Sequence, residues 1–229
     1  MTVSPVDPRV RALSERVILV EFGDPAAMDA TTRGRVRAGV LALTHEAING
    51  VTDVVPAYNT IAVRLDAASL VAVPAPYLEH VLREVRTRVD ALPVTPPAPG
   101  RLVEIPVVYG GADGPDLDEV AAHTGLTAAQ VVVLHTGAEY DVAMLGFSPG
   151  FPYLAGLPEQ LATPRRTTPR THVPAGSVAI GGRQTGIYPQ ASPGGWRLIG
   201  RTSRVLFAPG QDPPALLAPG DRVRFVAVD

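Results

Sequence analysis

The spacing of apolar positions divides the chain into two halves of different texture. Arg16–Phe22 (RVILVEF) has the dense β-branched run of a strand. A helix of about two dozen residues is predicted next, because Val36, Val40, Leu43 and Ala47 fall at i, i+4, i+7 and i+11, and Asn49-Gly50 supplies a stop. Val51–Ala57 and Thr60–Leu65 then read as a hairpin around Tyr58-Asn59. A second helix is expected to begin near Pro74–Pro76, with Leu78, Leu82, Val85 and Val89 again on one stripe. Arg83, Glu84, Arg86 and Arg88 fill its solvated face. The βαββα order predicts a small ferredoxin-like α+β domain over residues 1–92.

Residues 93–101 begin with PVTPPAPG, four prolines and a glycine in eight positions, which reads as a semi-rigid linker. The second domain, 102–229, opens with Leu102–Tyr109 (LVEIPVVY), a strand whose Pro106 favours a sheet edge. After the turn GGADGP come two short helical stretches, Leu117–His123 and Thr127–His135, the second with Thr127 as N-cap. Residues 146–220 hold 12 prolines and 12 glycines, a density that helices do not survive. Phe147, Phe151, Tyr153, Val178, Ile180, Ile187, Tyr188, Trp196 and Leu198 are nevertheless threaded through that stretch. Turn-rich β structure with ordered loops fits both facts, so a barrel is expected, closed by the alternating strand in 221–228 (DRVRFVAV).

Composition narrows the chemistry. A net charge of −2 gives no footprint for nucleic acid or an anionic membrane surface. No apolar run is long enough to span a bilayer, and the first fifteen residues lack a signal-peptide core, so a cytoplasmic protein is expected. With no cysteine there are no disulfides, thiolate zinc sites or thiol nucleophiles. All 20 basic residues are arginine, which excludes a nucleotide-binding or Schiff-base lysine from this chain. His45, His80, His123, His135 and His172 show no metal-ligand spacing, so no intrinsic metal is expected.

Several constellations invite a functional reading. Gly146–Gly150 (GFSPG) matches the serine-hydrolase elbow literally, but Pro149 follows the serine and has no N–H for an oxyanion hole. Ser148 is therefore not expected to be a nucleophile. Arg165, Arg166 and Arg170, with His172 close behind, either pair locally or clamp a carboxylate or phosphate. Ile180–Pro189 (IGGRQTGIYP) and Ser192–Trp196 (SPGGW) are turns by the simplest reading. Their glycine amides offer an anion cradle by the functional one, with Gln184, Thr185, Tyr188 and Trp196 as lining. His135 ends a helix, where an imidazolium is favoured; the simpler alternative is a cap or a core histidine.

Taken together, GFSPGFPYLAGLP, TPRRTTPR, VPAGSVAIGGRQTGIYP, SPGGWRLIGRT and APGDRVRF, extended by IPVVYGGADGPDLDEVA and LHTGAEYDVAMLGF, resemble the allophanate hydrolase subunit 1 family. The family includes the B component of the ATP-dependent 5-oxoprolinase. The resemblance implies a cyclophilin-like β-barrel following the ferredoxin-like domain. It also implies a heteromeric complex with subunits C and A that opens 5-oxo-L-proline to L-glutamate. ATP and Mg²⁺ act in that complex, through phosphorylation of the lactam carbonyl, in a site shared with the C component. On that reading Arg165, Arg170 and His135 are the catalytic candidates. Phe147, Gly150, Phe151, Tyr153, His172, Gly181, Gly182, Gln184, Thr185, Tyr188 and Trp196 are the substrate-binding candidates. The same fold resembles the carboxyltransferase end of urea carboxylases and an inhibitor of a sensor histidine kinase, which are the alternatives. Independent allophanate hydrolysis is excluded, because its serine–lysine apparatus cannot come from a chain without lysine.

Overall fold

The structure, a computed structural model, describes residues 8–24, 29–66, 68, 77–93, 95 and 98–229. It divides into two compact units, Met1–Ala98 and Pro99–Asp229. Pro74–Pro76 and positions 94, 96 and 97 of the proline-rich stretch lie outside the described residues.

The first unit runs β1 (Arg9–Ser14), β2 (Val17–Glu21), α1 (Ala30–Thr44), β3 (Val51–Ala57), β4 (Thr60–Leu65) and α2 (Tyr77–Asp90). Its antiparallel sheet has the order β1-β2-β4-β3, and the hairpin falls where the alternation places it. β1 has no counterpart in the sequence pattern. It buries only Val10 and exposes its arginines, as edge strands do, so it carries no period-2 apolar signal. It adds an edge beside β2 to the βαββα core.

Helix α1 is shorter than its periodicity suggests. Asp29 caps its start, accepting from the Thr32 N–H at 2.7 Å, and His45 is its C-cap. Ala47 lies beyond the helix, in the connection that reverses into β3 at Gly50 (φ 82°). Ile18, Val20, Phe22, Ile61 and Val63 of the sheet side pack with Val36 and Leu43 of α1 and Val81, Val85 and Val89 of α2. At roughly 1.5–3 kcal/mol for each large side chain buried, this one layer supplies most of the unit's cohesion.

The second unit contains β5 (Leu102–Tyr109), α3 (Leu117–Thr124), α4 (Ala128–Thr136), β6 (Glu139–Leu145) and β7 (Pro152–Ala155). A 3-10 turn (Glu159–Leu161) leads to β8 (Arg170–Val173), β9 (Ser177–Gly181), β10 (Gln184–Ile187), β11 (Ser192–Gly194), β12 (Arg197–Arg201) and β13 (Arg222–Ala227). Seven strands close a barrel in the order β10-β7-β6-β13-β5-β12-β9, while β8 and β11 pair as a separate ribbon. The fold is thus α+β with a closed, cyclophilin-like barrel.

One expectation is corrected here: β5 is not an edge. It pairs parallel with β13 along its length and antiparallel with β12 at Val108 and Tyr109. Pro106 is tolerated because it lies short of the stretch that β12 pairs, so on that side no ladder bond needs its missing N–H. The Thr127 cap forms as read: Gln130 N–H donates to Thr127 Oγ1 at 3.2 Å, and Thr127 N–H donates to Gln130 Oε1 at 2.8 Å. Among the described residues no helix is long and apolar enough to cross a membrane.

Candidate functional site

Four segments build one hollow: the tip between β6 and β7 with the start of β7, the loop 164–169, Tyr188 just after β10, and the end of β11 with the residues that follow it. At the tip, Ser148 N–H donates to Gly146 O at 2.7 Å, which closes a three-residue turn centred on Phe147 at φ 64°. That handedness is strained for a residue with a side chain. Phe151 N–H donates to Ser148 O at 3.0 Å across Pro149 and Gly150 (φ 78°), the pattern of a type II turn. The tip is therefore a hairpin end and not the strand–turn–helix a nucleophilic serine requires. Its effect is to hold Phe147 outward, 63% exposed, at the rim.

Below the rim, Phe151 is the hub of an aromatic cluster. Its ring centroid lies 5.4 Å from Phe147, 5.0 Å from Tyr153, 5.2 Å from Tyr188 and 5.7 Å from Trp196, mostly edge to face. Each such pair adds about 0.5–1.5 kcal/mol beyond burial. These rings, with Arg165, Arg166, Pro169, Gly194 and Gly195, enclose a hollow of about 200 Å³. Of the residues singled out from the sequence, Phe147, Phe151, Tyr153, Tyr188, Trp196 and Arg165 are brought together here.

Glycine has a packing role in this wall. A Cβ at Gly181 would stand 2.5 Å from the Trp196 indole, so only glycine lets the ring lie flat on β9. Gly181→Ala is expected to push the indole outward and destabilise the unit by about 1–3 kcal/mol, as overpacking does. The check is the emission maximum of Trp196, the one tryptophan in the chain, with a denaturant titration beside it.

The arginine group resolves into two kinds. The Asp116 carboxylate is 1% exposed and accepts from Arg170 Nη1 at 2.8 Å, Arg170 Nη2 at 2.7 Å, Arg166 Nη1 at 3.1 Å and the Leu198 backbone N–H at 2.7 Å. Burial alone would raise its pKa, but the Arg170 fork, the Leu198 N–H and the Arg166 charge outweigh burial and hold it below the usual carboxylate range. Arg170 thus faces an anion of its own chain, 54 residues away, and is not free to clamp a ligand. Arg165 is different. Its guanidinium carbon stands 5.6 Å from the Trp196 ring centroid, and among the described residues it pairs with no carboxylate.

The remaining candidates lie elsewhere. His172 is exposed on β8, away from the hollow's lining. Gly150 serves the tip turn, packed against Phe207. Gly182 (φ 66°) is the first loop residue of the β9–β10 hairpin, and its N–H already donates to Thr163 O at 2.8 Å. The glycines of IGGRQTG are therefore a turn and a packing surface, and Gly182 has no spare amide for an anion. Gln184 begins β10, half-buried and outside the lining of the hollow.

His135 and Thr185 do meet, but inside the barrel core. Thr185 Oγ1 donates to Ala179 O at 2.9 Å, so at 3.0 Å it accepts from His135 Nε2–H. Nδ1 is then the acceptor for the Tyr109 hydroxyl at 2.8 Å. The imidazole stacks on Phe225 at 4.5 Å and is fully buried, which pushes its pKa down to about 3. The helix-end expectation of an imidazolium is corrected: desolvation outweighs the helix dipole, and His135 is a neutral core group remote from the hollow.

Sequence reasoning missed Asp116 and Pro169 as parts of the site, and it named Arg166 in the arginine cluster without assigning it a place there. One signal was present for the first. Three arginines with no acid between 164 and 172 require a carboxylate from elsewhere, and the acids after GGADGP were available.

Comparison with known proteins places these observations. The family described as carboxyltransferase domain, subdomain C and D, matches residues 8–217. The B component of the 5-oxoprolinase of Escherichia coli O157:H7 is 48% identical over 218 residues, 95% of each chain. Its counterpart in the 5-oxoprolinase of Bacillus subtilis (strain 168) is 39% identical over 225 residues, 96% of this chain and 92% of that one. The crystal structure of TTHA0988 superposes with a TM-score of 0.77 at 39% identity, covering 93% of this chain. This chain spans only 40% of the length of TTHA0988, whose polypeptide continues beyond the shared part. With the match running through both units, the chain belongs to the carboxyltransferase-domain family of subdomains C and D.

Proposed function

We propose that the chain is the B component of an ATP-dependent 5-oxoprolinase, a complex in which it works with subunits A and C to convert 5-oxo-L-proline to L-glutamate. The observation that carries this reading is 48% identity along 95% of both chains to a protein of that name. The architecture of the hollow supports it. A space of about 200 Å³ holds roughly seven waters' worth of volume, the scale of a five-membered ring with one substituent. Aromatic walls suit a flat lactam.

The hollow does not fit a nucleotide with Mg²⁺. There is no lysine, and the hollow is far smaller than a nucleoside triphosphate. Among the described residues no three acidic or histidine side chains gather around a metal-sized space. The nucleotide is therefore assigned to a companion chain, and activation of the lactam carbonyl with it. The role of this chain is to seat the ring and exclude water from it. A companion is further supported by TTHA0988, where the equivalent of this chain is continuous with more polypeptide.

Reconstitution tests the reading. The chain mixed with purified subunits A and C is expected to release ADP only when 5-oxo-L-proline is present, and omission of this chain should abolish that release. The family description favours one other reading, a carboxyltransferase component, for which urea is the amide to test. ADP release driven by urea and not by 5-oxo-L-proline would establish it in place of the first.

A further inference from the structure

Resting on that function, the geometry points to a division of labour inside the hollow: it recognises the carboxylate of a small cyclic substrate, with Arg165 as the receiving cation and the Tyr188 hydroxyl as the neutral donor beside it. Of the three clustered arginines, Arg170 pairs with Asp116, and Arg166 pairs with Asp116 and with Glu119 at 3.7 Å, while Arg165 has no carboxylate among the described residues. The Arg165 guanidinium carbon lies 5.6 Å from the Trp196 ring centroid, within cation–π reach, and both residues line the hollow, so a planar two-pronged cation stands where a carboxylate would enter.

The rest of the lining is a donor set. Tyr188 is 2% exposed; burial raises its pKa, against the pull of the Trp196 backbone N–H and of Arg165, so it remains a protonated phenol. Among the described residues its proton meets no acceptor. Arg166 Nε is buried with no partner, a second donor at the wall. No acidic side chain lines the hollow. Two arginines with no acidic side chain in a space this small favour an anion, and the aromatic rings around it favour a flat one. A carboxylate on a five-membered ring satisfies charge, shape and volume together, whereas the phosphate tail of a nucleotide brings a base and sugar that the hollow cannot seat.

Trp196, the chain's one tryptophan, makes the test direct, because its ring lines the hollow. The full-length chain is titrated with 5-oxo-L-proline, with 2-pyrrolidinone (the same lactam without the carboxylate) and with inorganic phosphate. Saturable quenching by 5-oxo-L-proline, absent for 2-pyrrolidinone at the same concentrations, is expected. Arg165→Ala should weaken that binding about tenfold to a hundredfold, the scale of a lost charge-assisted pair, with Arg165→Lys intermediate and Tyr188→Phe a few-fold weaker.

Equal binding of 2-pyrrolidinone, a response to phosphate alone, no response to the carboxylated ring, or unchanged affinity in Arg165→Ala each overturns the inference. The complex-level function fails separately. If 5-oxo-L-proline binds as described but drives no ADP release in the reconstituted complex, the carboxylate site stands and the 5-oxoprolinase reading falls. Turnover with an Arg165→Ala chain at the wild-type KM removes the site and keeps the reading.

Discussion

Asp116→Ala is expected to lower the unfolding free energy of the second unit by about 3 kcal/mol, the low end of what breaking a buried ion pair costs. The lower end applies because the Arg166 and Arg170 side chains keep 29% and 24% exposure, so water screens part of the charge left behind. The carboxylate joins the start of α3, the Leu198 N–H in β12, the loop carrying Arg166, and Arg170 at the start of β8. Its loss leaves two guanidinium groups facing each other and frees the wall that carries Pro169 and Arg166. Asp116→Asn should cost nearly as much, since its amide N–H₂ would point donors at donors. A denaturant titration followed by Trp196 emission reads the second unit specifically; a change under about 1 kcal/mol would show that Asp116 does not organise the bracket. The same variant should lose 5-oxo-L-proline-dependent quenching more completely than Arg165→Ala, because it loosens the site as well as its partner loop.

The second large effect is on pH dependence. In the folded chain His135 is neutral and its pKa is pushed down to about 3, while in the unfolded chain it titrates near 6.5. Below pH 6.5 the unfolded state therefore takes up a proton that the folded state refuses. Stability contributed by the neutral imidazole is whole above pH 6.5 and is lost as pH falls toward 3. The slope approaches 1.4 kcal/mol per pH unit, or about 2.5 kcal/mol between pH 6.5 and 4.5. Asp116 adds a loss of the same sense, but only once pH falls to the range of an unfolded carboxylate, below that window. His135→Gln keeps a donor for Thr185 and an acceptor for Tyr109 without the titration, so its stability should be flatter with pH. Superimposable pH profiles for the two proteins would refute the neutral buried assignment.

How much of this was legible in the chain differs by element. Strand β4 and the stripe of α2 were readable because one face of each is buried and the other more open, so burial writes its period into the sequence. β1 was not readable, since an edge strand that buries one side chain carries no period. The edge reading of β5 failed for a related reason: Pro106 records what one position lacks, and only the register shows that β12 does not need it there. Among candidate residues, the aromatic members of GFSPGF and SPGGW converged because large apolar side chains in a proline- and glycine-rich stretch must pack on one another. His135, His172 and the IGGRQTG glycines did not, because their residue types serve core, surface and turn equally well.

What the amino-acid sequence determined by itself is the kind of molecule: an α+β chain with a turn-rich barrel, no thiol or lysine chemistry, and an aromatic–arginine segment belonging to a recognisable family. These follow from composition and local periodicity, which act over a few residues. What only the tertiary structure decided is which charges are spent and which remain. Whether an arginine is a structural tie or a ligand site depends on the anion nearest to it in space. For Arg170 that anion is Asp116, 54 positions away along the chain, and Arg165, five residues before Arg170, meets none among the described residues.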